Sequence, residues 1–162
     1  MLLIRQAQAT DFSRILDINA TEEEKTSRID LARIAQLDRW ADYHRVAVVD
    51  DEVIGFLLVM SEASDYDGDN FRWFVERYNR FLYVDRIVIN RTAARSGVGS
   101  ALYGDLIQFA ATQRWSTLCC EINVSPPNPV SHAFHAGFGF NEVGRSAEAG
   151  APKVVSYQVA EV

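Results

Sequence analysis

Apolar positions along the chain switch between two spacings, and the switches mark out the elements. Leu2 to Ala7 is a short run that reads as a first strand. Phe12, Ile15, Leu16 and Ile18 then recur at helical spacing behind Thr10 or Asp11, either of which can cap the helix. Ile29, Ile34, Leu37 and Trp40 predict a second helix over 29–41. Two strands come next at 44–50 and 53–60, and the polar turn Asp50-Asp51-Glu52 makes them a hairpin. Residues 61–70 are polar and predict a loop. The aromatic and basic stretch 71–80 reads as either a short helix or an ordered loop. Phe81 to Asn90, rich in β-branched and aromatic residues, is a strong strand. Val98, Leu102, Leu106 and Phe109 predict a helix over 97–113, with a strand after it at 117–124. Ser125-Pro126-Pro127-Asn128-Pro129 breaks that strand before a short helix at 130–137 and strands at 139–144 and 153–160. The order β-α-α-β-β-β-α-β-α-β-β predicts an α/β fold (α+β by some schemes), a mixed sheet with helices on both faces.

Composition narrows the class. A chain of 162 residues fits one domain over 1–162, long enough to bury a core without staples. It has no apolar run of the ~18 residues a membrane span needs. The first residues, Met1-Leu2-Leu3-Ile4-Arg5-Gln6, lack the layout of a signal peptide. The formal net charge of −6 argues against nucleic acid or an anionic membrane as the main partner. Cys119 and Cys120 are adjacent, so a bridge between them would be strained, and they read as small core residues in a reducing cytoplasm. Three widely spaced histidines without a nearby acidic cluster predict no metal site. The run Glu22-Glu23-Glu24 reads as a solvated face near the end of the first helix or in the loop after it.

The sharpest local feature is Ala94-Arg95-Ser96-Gly97-Val98-Gly99-Ser100, set between a strong strand and an amphipathic helix. A helix N-terminus leaves N–H groups unpaired and carries partial positive charge, which suits an anion. Gly97 and Gly99 allow close approach to the backbone, and Arg95 adds a cation. The combination suits a pyrophosphate. No third glycine completes a dinucleotide fingerprint, and no Gly-Lys-Ser/Thr completes a Walker loop.

With Ile87-Val88-Ile89 before it and Ala101-Leu102 after it, this turn resembles motif A of the GCN5-related N-acetyltransferases. Ala94 departs from the Gln or Arg usual there. Asn128, Ser131, Phe134, Gly139 and Phe140 resemble motif B of the same superfamily, and the likeness spans about 2–144. The resemblance implies a mixed sheet of six to seven strands flanked by about four helices, with strands 4 and 5 splayed. The prolines fit that splay, since proline donates nothing to a ladder. It implies acetyl-CoA as cosubstrate, held at its pyrophosphate by the backbone of Arg95 to Ser100. Asn128 would bond its pantetheine arm, Phe134 would pack on it, and Ser131 and His135 would lie beside it. A backbone N–H near Val88 or Ile89 would hold the thioester carbonyl. The implied reaction is direct acetyl transfer to a primary amine, small-molecule or peptide, in a ternary complex. A homodimer through the end strands is a further implication.

The chemistry needs a neutral amine and a proton for the departing thiolate. His135 stands where the family commonly has a proton-donating tyrosine, so it is the candidate general acid; the alternative is that it only packs beside the coenzyme while water supplies the proton. Asp85 and Glu121 are the candidate bases, against the alternatives of a salt bridge from Asp85 to a neighbour such as Arg86 and a satisfied strand residue at Glu121. An amine of low pKa would need neither. By resemblance the acceptor site draws on 21–40 and 61–80. Phe71, Trp73, Phe74 and Tyr78 could form an aromatic wall, while Arg72, Arg77 and Arg80 could meet a carboxylate or phosphate; the alternative is that the aromatics are half core and the arginines half solvent. Asn70 and Tyr83 complete the set expected near the acceptor. The competing reading of the whole chain is a non-catalytic acyl-CoA-binding sensor.

Overall fold

Short polar contacts start the first two helices. The Asp11 carboxylate accepts from the Gln8 N–H at 2.8 Å and closes a 3-10 turn, Ala9–Asp11, that runs into α1 (Phe12–Ala20). Asp30 caps α2 (Leu31–Trp40) by accepting from the Arg33 N–H at 2.8 Å. The remaining elements are β1 (Leu2–Gln6), β2 (Tyr43–Val49), β3 (Glu52–Ser61), α3 (Asp69–Val75), β4 (Leu82–Ile89), α4 (Val98–Thr112), β5 (Thr117–Ser125), α5 (Pro129–Ala136), β6 (Asn141–Arg145) and β7 (Val154–Glu161). This computed structural model describes residues 1–22, 26–146 and 151–162. Glu23 and Glu24 of the acidic run therefore lie outside the described residues.

The strands form one seven-stranded sheet in the order β1-β2-β3-β4-β5-β7-β6. All neighbours are antiparallel except β4 and β5. On one face, α4 lays Val98, Leu102, Tyr103 and Leu106 over Leu57, Val59, Leu82 and Val84. On the other, Ile15, Ile18 and Ile34 of α1 and α2 cover Val46, Phe56 and Val88, and α3 covers Phe81 and Tyr83. Each large side chain so buried contributes roughly 1.5–3 kcal/mol.

The expected number of about four helices becomes five α-helices among the described residues. Residues 69–75 coil because Phe71 and Phe74, three apart, both reach the sheet and are buried. Among the described residues, no helix is long and apolar enough to cross a membrane.

β4 is irregular on both of its edges. Parallel pairing with β5 is limited to Leu82–Leu118 and Tyr83–Cys119, after which the strands part, as the resemblance implied. On its other side the register with β3 shifts: Leu58 pairs with Arg86 but Val59 pairs with Val84, leaving Asp85 as an extra residue. A bulge of this kind breaks the strict alternation of sides.

Candidate active site

The gap between β4 and β5 opens into a cleft of about 860 Å³. Its floor and walls combine the free edge of β4, the first turn of α4, the inner side of β5 and α5.

At one end the chain turns sharply into α4. Arg95 and Gly97 both take positive φ, 63° and 85°, and Gly97 is the left-handed residue that precedes the helix. The second glycine acts through packing: a Cβ at Gly99 would stand 3.2 Å from the Phe134 ring. Gly99 thus lets α5 approach the N-terminus of α4. Ile87, Val88, Ile89, Arg95, Gly97, Val98, Gly99, Ser100, Asn128, Ser131, Phe134 and His135 all line the cleft. Ser96, expected with them, turns its hydroxyl back to the Ala93 carbonyl and is absent from the lining. Asn128 caps α5 through Oδ1, which accepts from the Ser131 N–H at 3.3 Å.

His135 has a different environment from the one expected of a general acid. It is 4 % exposed, with Nδ1 2.8 Å from the Ser131 carbonyl and Nε2 2.6 Å from the Tyr103 hydroxyl. A carbonyl only accepts, so Nδ1 carries the proton and Nε2 accepts from Tyr103. Burial lowers the imidazole pKa and holds the ring neutral, although the Ser131 carbonyl pulls the other way. Its single N–H is thus spent on backbone. Of the two readings the sequence left open for His135, these bonds favour packing: the ring links α5 to Tyr103 of α4.

The other end of the cleft holds the carboxylates. The bulge puts Asp85 and Arg86, neighbours in sequence, on the α1 side of the sheet together. Arg86 Nε donates to Asp85 Oδ2 at 2.7 Å, and both side chains are 4 % exposed. The Tyr66 hydroxyl donates to the other Asp85 oxygen. Arg86 also donates to Asn19 Oδ1 at 3.1 Å, the Ser27 carbonyl at 3.0 Å and Ser27 Oγ at 2.9 Å. Asp85 is the partner of a buried guanidinium, the salt-bridge alternative weighed for it against the role of base. The pair fastens the α1–α2 and β3–α3 connections to β4.

Glu121 differs. It sits on β5 just past the last residue that pairs with β4, and its half-buried carboxyl lines the cleft. Burial pushes its pKa up to about 7, and the charge of Asp85 works in the same direction. The Tyr83 hydroxyl, at 2.5 Å, and the Asn70 amide donate to it and oppose the rise. No arginine pairs with it in this structure's ion pairs between described residues.

The acceptor expectations divide. Asn70 and Tyr83 line the cleft beside Glu121. Phe71 and Phe74 are 3 % and 0 % exposed and belong to the core under α3. Trp73 stacks on Tyr157 at 4.1 Å between ring centroids, and the Arg77 guanidinium carbon lies 4.1 Å from the Trp73 ring centroid. Neither Trp73 nor Arg77 reaches the cleft. The aromatic wall predicted from 71–78 is therefore a helix-to-sheet contact. The sequence reading named the Asp85–Arg86 salt bridge as an alternative but missed Tyr66, set in a polar loop with no periodic signal, and the bonds from Arg86 to Asn19 and Ser27.

Solved structures share this fold along the whole chain. A ribosomal-protein-alanine N-acetyltransferase from Brucella melitensis is 21 % identical, with 99 % of both chains covered and a TM-score of 0.74. The ribosomal-protein-S18-alanine N-acetyltransferase from Escherichia coli is 16 % identical, covering 100 % of this chain and 94 % of that one at a TM-score of 0.74. A putative acetyltransferase from Salmonella typhimurium, solved with its cofactor acetyl-CoA, is 16 % identical, with coverages of 99 % and 94 % and a TM-score of 0.72. No curated protein matches the sequence. The family model described as acetyltransferase (GNAT) matches residues 4–140, most of the chain, and the chain belongs to that family.

Proposed function

We propose that this chain is an N-acetyltransferase that moves the acetyl group of acetyl-CoA to a primary amine by direct attack, with Glu121 taking the amine's proton. The observation that carries the reading is the placement of Glu121. Its carboxyl stands where β4 and β5 part, at the floor of the cleft, with no cation paired to it among the described residues and with a pKa raised to about 7. A carboxylate of that basicity accepts a proton near neutral pH far better than an ordinary surface glutamate does.

The residues present fit the coenzyme. The first turn of α4, opened by Gly97, aims backbone N–H groups into the cleft and suits a pyrophosphate. Phe134 offers an apolar surface beside it, and β4 from Val84 to Ile89 has a free edge for an amide-bearing arm. In the transfer, the neutral amine attacks the thioester carbon as the C–S bond breaks. Its surplus proton passes to Glu121, and the departing thiolate takes a proton from solvent. The products are the N-acetyl amine and free coenzyme A.

The test is release of free thiol from acetyl-CoA by the purified protein, against a panel of amino acids, polyamines, aminoglycosides and short peptides. Amine-dependent release, lost in Glu121→Gln with coenzyme binding intact, supports the reading. Tight acetyl-CoA binding without release by any amine would move the chain to the sensor reading.

A further inference from the structure

Glu121 is held by neighbours on three elements, and one of those neighbours is itself held from outside the cleft. On β4, the Tyr83 hydroxyl donates to Glu121 Oε2 at 2.5 Å. On α3, the Asn70 amide donates to the same carboxyl. On β7, Tyr157 is the residue directly opposite Glu121 in the antiparallel pair. Opposed side chains share a face of the sheet, with Cβ atoms about 5 Å apart. The Tyr157 hydroxyl donates to Asn70 Oδ1 at 3.1 Å. Glu121, Asn70 and Tyr83 line the cleft, and Tyr157 does not.

These bonds have a direction. An amide has one accepting end and one donating end, an ionised carboxylate only accepts, and a phenol hydroxyl can do either. The run that satisfies all three groups goes from the Tyr157 O–H to the Asn70 carbonyl, and from the Asn70 N–H to Glu121. A turned-over amide would set its oxygen against the carboxylate. Tyr157 has little freedom to move from this arrangement. It is 5 % exposed, Trp73 stacks on it with 14° between the ring planes, and Phe74 meets it edge to face at 5.5 Å. The stack depends on β6 coming close: a Cβ at Gly144 would stand 2.7 Å from the Trp73 ring. The aromatics that fail to reach the cleft thus fix the hydroxyl that fixes Asn70.

Resting on the reading of Glu121 as the base, we infer that Asn70 and Tyr157 are positioning residues for it: Tyr157 sets the orientation of the Asn70 amide, and the amide N–H holds the Glu121 carboxyl in place for the amine. Neither residue exchanges a proton in the transfer. Burial disfavours the charged carboxyl, and the donors at Asn70 and Tyr83 work against that burial. They bring the proton-free form, which the amine needs, within reach at neutral pH.

Two shape-conserving changes test this, Tyr157→Phe and Asn70→Leu, singly and together. Carbon-13 NMR of the glutamate carboxyls, with the Glu121 signal assigned by its loss in Glu121→Gln, reads the titration of Glu121 without turnover. Each single change should raise its midpoint by roughly half a pH unit or more. The double variant should match Asn70→Leu alone, because Tyr157 acts through the amide. The pH midpoint of kcat/KM, for whichever amine releases thiol, should rise in step, and the Kd for acetyl-CoA should stay within about twofold, since other elements hold the coenzyme. An unmoved Glu121 midpoint in Tyr157→Phe, or shifts that add in the double variant, would overturn the inference. So would a parallel loss of coenzyme affinity, which marks a general loosening of the sheet. A shifted NMR midpoint with an unshifted rate profile would keep the hydrogen-bond relay and sink the reading of Glu121 as base. If no amine releases thiol, the NMR arm alone decides for or against the relay.

Discussion

Two side chains that the sequence offered as proton carriers diverge once their surroundings are counted. Glu121 keeps an open side to the cleft and a pKa near 7, so the rate at low concentration of the neutral amine, with the amine's own ionisation divided out, should rise through about pH 7. Glu121→Gln should remove that rise and lower kcat/KM by about 10²-fold or more. The same shift sets a stability trend. Because the folded-state pKa lies above the ordinary value of 4.5, the native chain holds a proton between pH 4.5 and 7 that the unfolded chain has lost. Stability therefore falls as pH rises across that window and is flat above it. At pH 8 the ionised carboxyl costs up to about 3 kcal/mol, so Glu121→Gln should melt higher than the parent chain there and not at pH 4. A lower melting point at both pH values would contradict the burial account. His135 gives the converse case. His135→Phe strands the Tyr103 hydroxyl in the core, at a cost of about 1–3 kcal/mol seen in denaturant melts. Turnover should stay within a few-fold, since no proton leaves this ring in the proposed reaction. A hundredfold loss of turnover with coenzyme affinity intact would restore the acid role.

Among elements, β4 does most to organise the site, and it does so by departing from regular strand geometry. Its bulge places Asp85 beside Arg86, and the pair fastens two connections, one through Ser27 and one through Tyr66. Arg86→Met should cost about 3–5 kcal/mol, because it leaves Asp85 buried without its cation. With the α1–α2 connection released, KM for the amine should rise while the Kd for acetyl-CoA, held by other elements, changes little. Equal loss of both affinities would mean that Arg86 supports the sheet as a whole. This element also shows how far the sequence could be read. The apolar periods located every strand and the longer helices, because period depends on which side of an element faces the core. The turn at Gly97 and Gly99 was legible because helix entry and glycine spacing are local. The bulge was not legible, since an extra residue leaves the run from Leu82 to Ile89 looking like any buried strand. Without the bulge, Asp85 stayed open between a base and the salt-bridge partner of Arg86. Phe71, Trp73 and Phe74 stayed open between acceptor wall and core for a related reason: composition shows that aromatics will be covered, and only packing shows that the sheet, not a ligand, covers them.

At the scale of the molecule, the sheet is two parts joined at a narrow seam. β1 to β4 form one antiparallel set and β5, β7 and β6 another, with two residue pairs of parallel pairing between them. The proposed cosubstrate would lie along that seam and touch both parts, through β4 and α4 on one side and β5 and α5 on the other. A ligand that bridges the two should stabilise the fold as a unit through preferential binding to the native state. At a free concentration a hundred times its Kd, acetyl-CoA should add about 2.7 kcal/mol, or roughly 5–10 °C in melting temperature for a chain of this size. Hydrogen exchange should slow on both sides of the seam, at the amides of β4 beyond Tyr83 and at the first turns of α4 and α5. Protection confined to α4 would mean that only the phosphate end is held and that the free edge of β4 does not receive the pantetheine arm. The splay would then have to be explained by the acceptor. No melting shift at saturating acetyl-CoA would remove the cosubstrate from the cleft, and with it the argument that the two strands part in order to admit it.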